Sequence, residues 1–388
     1  MRDFLRSPLT QLWGPVLGPA AGLAYLDRGK DSGDLVYFVH RGEQLLSGGW
    51  ADTFSDPKLQ SGPLQLAIFG AVRDLAALAF LIELGVAVLL LFVLGRLGLS
   101  DRARVAVGLL AVAAGVTHIA FVYGHPAEAI VPLLWVLAGL WARDGRVLSA
   151  GALVGLSAGF ELWGVLGVAV LLLAPRLTRA LAGACVQAAV VAVMLAPFAL
   201  AGTFRMFDHR WQVTSGTLVG LVVGPGAHFG WPLRLAQASL AIGAGAALAF
   251  ARRSVHSLWL VPLAVALVRL LLDPVSFGWY WLEVEALVLV GAGLVLSELP
   301  ARFPASRVGR ALGPAALLAQ RREVGVKNFV APEEGDDRAD RQERPERDSH
   351  LARLRTVPHE QHETGHKCRD HAGHQGDRDR PSESRAHQ

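Results

Sequence analysis

Long apolar stretches joined by short, mostly basic connections dominate the first 300 positions. Such stretches lie at about 9–26, 75–97, 105–123, 128–141, 180–200, 235–250, 258–272 and 281–296. Each predicts a helix across a bilayer, whose hydrocarbon core takes about 20 apolar residues, and several extend into their flanks. Residues 147–174 differ, being too long for one untilted span and too short for two. Arg143 and Arg146 flank one end, Arg176 and Arg179 the other, and Gly155, Gly159, Gly164 and Gly167 lie between. Equal basic flanks place both ends on one side. The pattern predicts two half-helices that dip in from one face and return, covered by other helices.

A polar stretch, 27–62, follows the first apolar segment, and a short apolar piece, 63–72, comes next. Within the polar stretch Leu35, Phe38, Val39, Leu45 and Leu46 recur at helical spacing, which predicts an amphipathic helix at the interface.

The fold class is therefore an all-α membrane protein with about eight full spans and one re-entrant hairpin. Composition agrees: of 388 residues 52% are hydrophobic and 18% charged, with mean hydropathy +0.38. That excludes a disordered chain and argues against a soluble domain. Arginines crowd the connections that hold Arg96, Arg102, Arg104, Arg143, Arg146, Arg176, Arg179, Arg252 and Arg253. The positive-inside rule makes these cytoplasmic and puts both termini there, in a multi-pass protein of the cell membrane. The basic pI does not point to nucleic acid, and Cys185 and Cys368 make no disulfide framework.

Residues 1–300 form the membrane domain, with 27–62 as its first outer loop, and 301–320 a cytoplasmic basic segment. From Arg321 to Gln388, 14 Lys and Arg and 15 Asp and Glu stand among 68 residues without an apolar period. That composition predicts a disordered charged tail; its abrupt onset also fits a frameshifted extension. The tail contains His362-Glu363-Thr364-Gly365-His366, an HExxH match. Zinc-protease chemistry needs that motif on a buried helix with a third ligand and a closed surround. No apolar residues are at hand to build one, and seven of the 13 His lie in this tail, so the match is read as chance.

In the membrane body, polarity outside the basic loops converges on one side. The outer face holds Asp31, Asp34, His125, Glu128, Arg205, His209, Arg210, Arg234, Arg269, Asp273 and Tyr280, with Trp50, Trp211, Trp231 and Trp281. Ionisable groups at membrane depth are costly and are functional candidates by default. Carboxylates supply a base, Arg and His recognise phosphate, and aromatics serve either sugar faces or the interfacial belt. Arg269 and Asp273, four apart, are also spaced to pair at a helix end. Glu83 and His118 are expected to pack between helices, and Glu161 to cap a half-helix or pair with a cation.

The stretch Asp34-Leu-Val-Tyr-Phe-Val-His-Arg-Gly, with Asp56-Pro57, Gln60-Ser61-Gly62-Pro63-Leu64, Gly124-His125-Pro126, Phe160-Glu161-Leu162-Trp163 and Leu271-Leu272-Asp273-Pro274, resembles actinobacterial membrane glycosyltransferases of GT-C type. The resemblance covers roughly residues 9–300. It implies a polytopic helix bundle that moves a hexosyl or pentosyl group from a polyprenyl-phosphate donor to an extracytoplasmic glycan or lipid acceptor, with an acidic residue in the first outer loop. Asp34 best matches that residue, with Asp31 next; the usual adjacent acidic pair is absent, since residue 35 is Leu. Asp34 is also placed to be the N-cap of the interfacial helix. His125, Arg205, His209, Arg210, Arg234, Arg269, Asp273 and Tyr280 are the expected substrate-binding residues. No residues are assigned to a metal, and a divalent ion stays open as cofactor. The alternative is a transport or non-catalytic protein that handles a lipid-linked precursor. Transporters show two similar halves with broken helices; one hairpin and no second copy favour the enzyme.

Overall fold

The computed structural model describes residues 8–30, 33–251 and 254–298, which leaves the tail and its HExxH sequence outside the described residues. A helix stands at every predicted position. They are α1 (Pro8–Asp27), α4 (Leu75–Arg96), α5 (Asp101–Ala113) with α6 (Val116–Val122), α7 (Ala127–Arg143), α9 (Leu177–Ala201), α11 (Trp231–Ala251), α12 (Ser257–Leu271) and α13 (Leu282–Glu298). Shorter helices are α2 (Gly33–Leu45), α3 (Pro63–Val72), α8 (Val147–Ser157) and α10 (Leu218–Val223). A two-stranded ribbon pairs β1 (Trp211–Gln212) with β2 (His228–Phe229).

Among the described residues four helices are long and apolar enough to cross a membrane, α4, α9, α11 and the run Gly278–Glu298; α5 with α6, bent by 41°, makes a fifth. The bend falls at Gly115, whose φ of 79° ends α5 and restarts the chain. Exposure supports the membrane assignment. Only four of the 25 residues of α9 are buried, and Leu181, Val193 and Leu200 are more than half exposed. An apolar helix left uncovered to that degree fits an apolar solvent.

The core has two main parts. One joins α4, α5, α6, α7 and α13 with the α2 and α3 region, the other joins α7, α8, α11 and α12 with the segment 162–173. α7 belongs to both and has 12 of its 17 residues buried. α2 lies across α3 at backbone contact: a Cβ on Gly42 would collide with the Leu66 carbonyl and with Gly70. Only glycine allows α2 to seat there.

The 147–174 region is a hairpin. α8 rises for 11 residues, the chain turns at 158–161, and a 12-residue 3₁₀ arm, Leu162–Leu173, returns. A Cβ on Gly183 would meet both Val147, at the start of α8, and Leu171, near the end of the return arm, whereas one on Gly159 would meet Met194. Both hairpin ends therefore lie beside the same part of α9. At the usual rises the arms reach about 16 and 24 Å, each short of a bilayer. Trp135 of α7, fully buried, holds the apex: its Nε1–H donates to the Gly164 carbonyl at 3.0 Å and Ser157 Oγ at 3.3 Å.

Candidate functional site

The hairpin apex meets the first loop as a strand would. Gly62 N–H donates to Phe160 O at 2.7 Å, Leu64 N–H to Gly159 O at 2.8 Å, and Ser61 bridges Glu161. A cavity of about 410 Å³ opens above this junction. Its walls come from the first loop and α2 (Phe38, Lys58, Gln60, Ser61), the start of α7 (His125, Glu128), the hairpin apex (Glu161, Trp163 and neighbours), the loop after α9 (Met206, Phe207, His209, Trp211), α11 (Trp231, Arg234, Leu235, Gln237, Ala238), and the α12–α13 junction (Arg269, Asp273, Tyr280).

The loops are braced from below. Asp56 accepts from Tyr37 Oη at 2.8 Å, from Arg41 Nη2 at 3.0 Å and from Lys58 N–H at 2.9 Å. Partial burial raises the Asp56 pKa, but these donors outweigh it and hold the carboxyl below its ordinary value. Burial, then the bond to Asp56, pushes Tyr37 up to about 12. Gln60 Nε2 joins the first loop to the later one through Met206 O at 3.0 Å, and Arg205 N–H donates to Phe54 O at 2.8 Å.

Two arginines of the cavity are already neutralised. Arg269, 7% exposed, ion-pairs with Glu283 and, at 3.6 Å, with Glu128, and lies 4.3 Å over the Trp163 ring. Arg234 pairs with Asp273 at 3.2 Å and with Gln237 Oε1 at 3.0 Å, and lies over Trp211 and Phe229. The expected Arg269–Asp273 helix-end pair is thus replaced by pairs across helices. Arg269 turns into the bundle, where α13 offers a buried carboxylate, and Asp273 turns toward α11. Lys58 lines the cavity and makes no ion pair among the described residues. Burial, then the positive charges of Arg234 and Lys58, lowers the His209 pKa, so it is neutral at pH 7.

The expected site residues divide accordingly. His125, His209, Arg234, Arg269, Asp273 and Tyr280 line the cavity; Arg205, Arg210 and Asp34 do not. Arg205 is exposed and pairs with Asp208 at 2.9 Å, and Arg210 is exposed. Asp31 lies outside the described residues. Asp34 sits in the first turn of α2 rather than at its cap, and its Oδ2 is 3.1 Å from His125 Nε2. That bond, opposed by partial burial, holds the Asp34 carboxyl below its ordinary pKa.

Glu161 and Glu128 reach the cavity although neither was chosen as a site residue. Glu161 occupies the N-cap position of the 3₁₀ arm but makes no side-chain cap, and it has no ion pair among the described residues. The available signal was a carboxylate inside an apolar run. No known protein family, no curated protein and no solved structure matches this chain.

Proposed function

We propose that the protein is a membrane glycosyltransferase that moves a sugar from a polyprenyl-phosphate donor to an extracytoplasmic acceptor. The supporting observation is the amphipathic cavity. Its lining combines apolar side chains (Leu162, Val165, Leu166, Leu235, Ala238), of which Leu235 is 60% exposed, with Lys58, Arg234, His209, Glu161 and six aromatic rings. Such a cavity suits a ligand with a lipid tail, an anionic link and a polar head. Asp34, ionised and exposed at the rim, is the base: it takes the proton of the acceptor hydroxyl as that oxygen attacks the anomeric carbon. The bond to the phosphate breaks, and the leaving phosphate keeps the electron pair beside Lys58. In this reading the eight helices all cross, the hairpin is re-entrant, and the cavity faces away from the cytoplasm.

The same cavity also suits a carrier of lipid-linked precursors, so the decisive experiment separates transfer from binding. Protein in liposomes receives a radiolabelled polyprenyl-phosphate sugar and a mixture of cell-envelope acceptors. Labelled acceptor and free polyprenyl phosphate are the expected products. Donor that crosses the bilayer with its sugar–phosphate bond intact would favour the carrier.

A further inference from the structure

Asp27, Glu83 and His118 come from three helices, α1, α4 and α6, and none of them lines the cavity. One ligand atom from each lies within 4.8 Å of the other two. Asp27 and Glu83 are 2% and 0% exposed, and His118 Nδ1 contacts Asp27 Oδ2. Both Glu83 oxygens are buried and find no hydrogen-bond donor among the described residues. Beside Glu83 is the Asp27 carboxylate, itself an acceptor. Two buried carboxyls in contact must share a proton or hold a cation between them.

One lysine stands beside the group. Lys30 Nζ is 2.7 Å from Asp27 Oδ1, with its side chain half exposed after the end of α1. Two ionised carboxylates beside a neutral imidazole carry two negative charges, of which Lys30 offsets one. We infer that Asp27, Glu83 and His118 form a divalent metal site that Lys30 guards. On metal entry Lys30 withdraws to water, which leaves a neutral centre. One imidazole nitrogen with two carboxylate oxygens suits Zn²⁺ or a neighbouring transition ion better than Ca²⁺ or Mg²⁺, which take all-oxygen shells. The site also has a structural consequence. Asp27 precedes Asp34 by seven residues and His118 precedes His125 by seven, and each Asp contacts its His. A metal at the first pair ties together the two segments that present the second.

The test uses the full chain in detergent, stripped with chelator and titrated with Zn²⁺, with bound zinc counted by mass spectrometry after gel filtration. Histidines of the tail bind zinc equally in every variant, so the differences carry the result. Glu83→Gln and His118→Ala should each hold about one zinc fewer per chain, as expected for one ion on three protein ligands. Lys30→Ala, at a half-exposed position that leaves the fold intact, should bind roughly tenfold tighter at the most avid site, the scale of one like charge removed at short range. Wild-type zinc content in Glu83→Gln would overturn the inference and leave a shared proton between the carboxyls. So would unchanged affinity in Lys30→Ala, which decides the matter if Glu83→Gln does not fold.

Discussion

Asp34 and His125, 91 positions apart, meet at 3.1 Å at the rim of the cavity, and the His125 ring stacks on Trp279 at 5.1 Å with the planes 9° apart. Trp279 stacks in turn on Phe277, while Phe38 of α2 meets the imidazole edge-on. The ring is thus fixed before any ligand arrives, and it fixes the carboxylate. That is the preorganisation a positioned base needs.

Replacing Asp34 by Asn preserves shape and removes the proposed base. Transfer should fall by roughly a hundredfold or more, with membrane insertion and thermal unfolding unchanged. Near-normal transfer by Asp34→Asn would remove Asp34 from the chemistry.

The His125 contact also fixes a pH dependence. A base works when ionised, and the lowered Asp34 pKa extends that range toward acid. In His125→Gln the acidic limb of the rate profile should move to higher pH, toward the ordinary Asp value of about 3.9. The stability that Asp34 contributes is present above the unfolded value and is lost as pH falls through the lowered folded value. A limb that stays in place would show that another group controls it.

Arg269→Met should destabilise the protein by about 3–5 kcal/mol, because Glu128 and Glu283 remain buried without their cation. Adding Glu128→Gln and Glu283→Gln to that variant should recover much of the loss. Thermal unfolding in detergent measures both. A single variant as stable as wild type would mean that the triad contributes nothing.

A Cβ on Gly167 would enter the Trp135 indole, which is fully buried. Gly167→Ala should therefore cost about 1–3 kcal/mol by overpacking and shift tryptophan emission as the ring moves. An unchanged spectrum and melting temperature would show that the hairpin yields freely.

The hairpin also makes a topological prediction. Asp144→Cys and Thr178→Cys, at its two ends, should be labelled by an impermeant thiol reagent from one side, and Ser215→Cys from the other. The background replaces Cys185 and Cys368. Opposite labelling of 144 and 178 would mean that the hairpin crosses the membrane.

Much of the architecture was legible along the chain because membrane helices are local. A long, mostly apolar run, as in 75–97 with Glu83 inside it, can satisfy its backbone in lipid only as a helix, whatever it packs against. A turn somewhere within 147–174 was legible for a related reason: the arginines at 143–146 and 176–179 demand water at both ends, and the run between them is too long for one crossing. The amphipathic pattern of Leu35, Phe38 and Val39 likewise marked α2 before its partner was known.

Partnership was a different matter. Arg269 stood four residues from Asp273, and local spacing proposed a pair; the fold instead gave Arg269 to Glu128 and Glu283 and Asp273 to Arg234. Arg205 was expected to bind substrate and Glu161 to cap a half-helix or pair with a cation, yet Arg205 is exposed and Glu161 lines the cavity. Glu83 and His118 were expected between helices, but nothing in the order of residues brought Asp27 to them. A charged side chain in a membrane protein finds its counterpart across helices far apart in sequence, and desolvation rewards whichever partner the packing brings within reach. The chain by itself determined which segments are helical and where polarity gathers; only the tertiary structure decided which charges face a ligand and which neutralise one another.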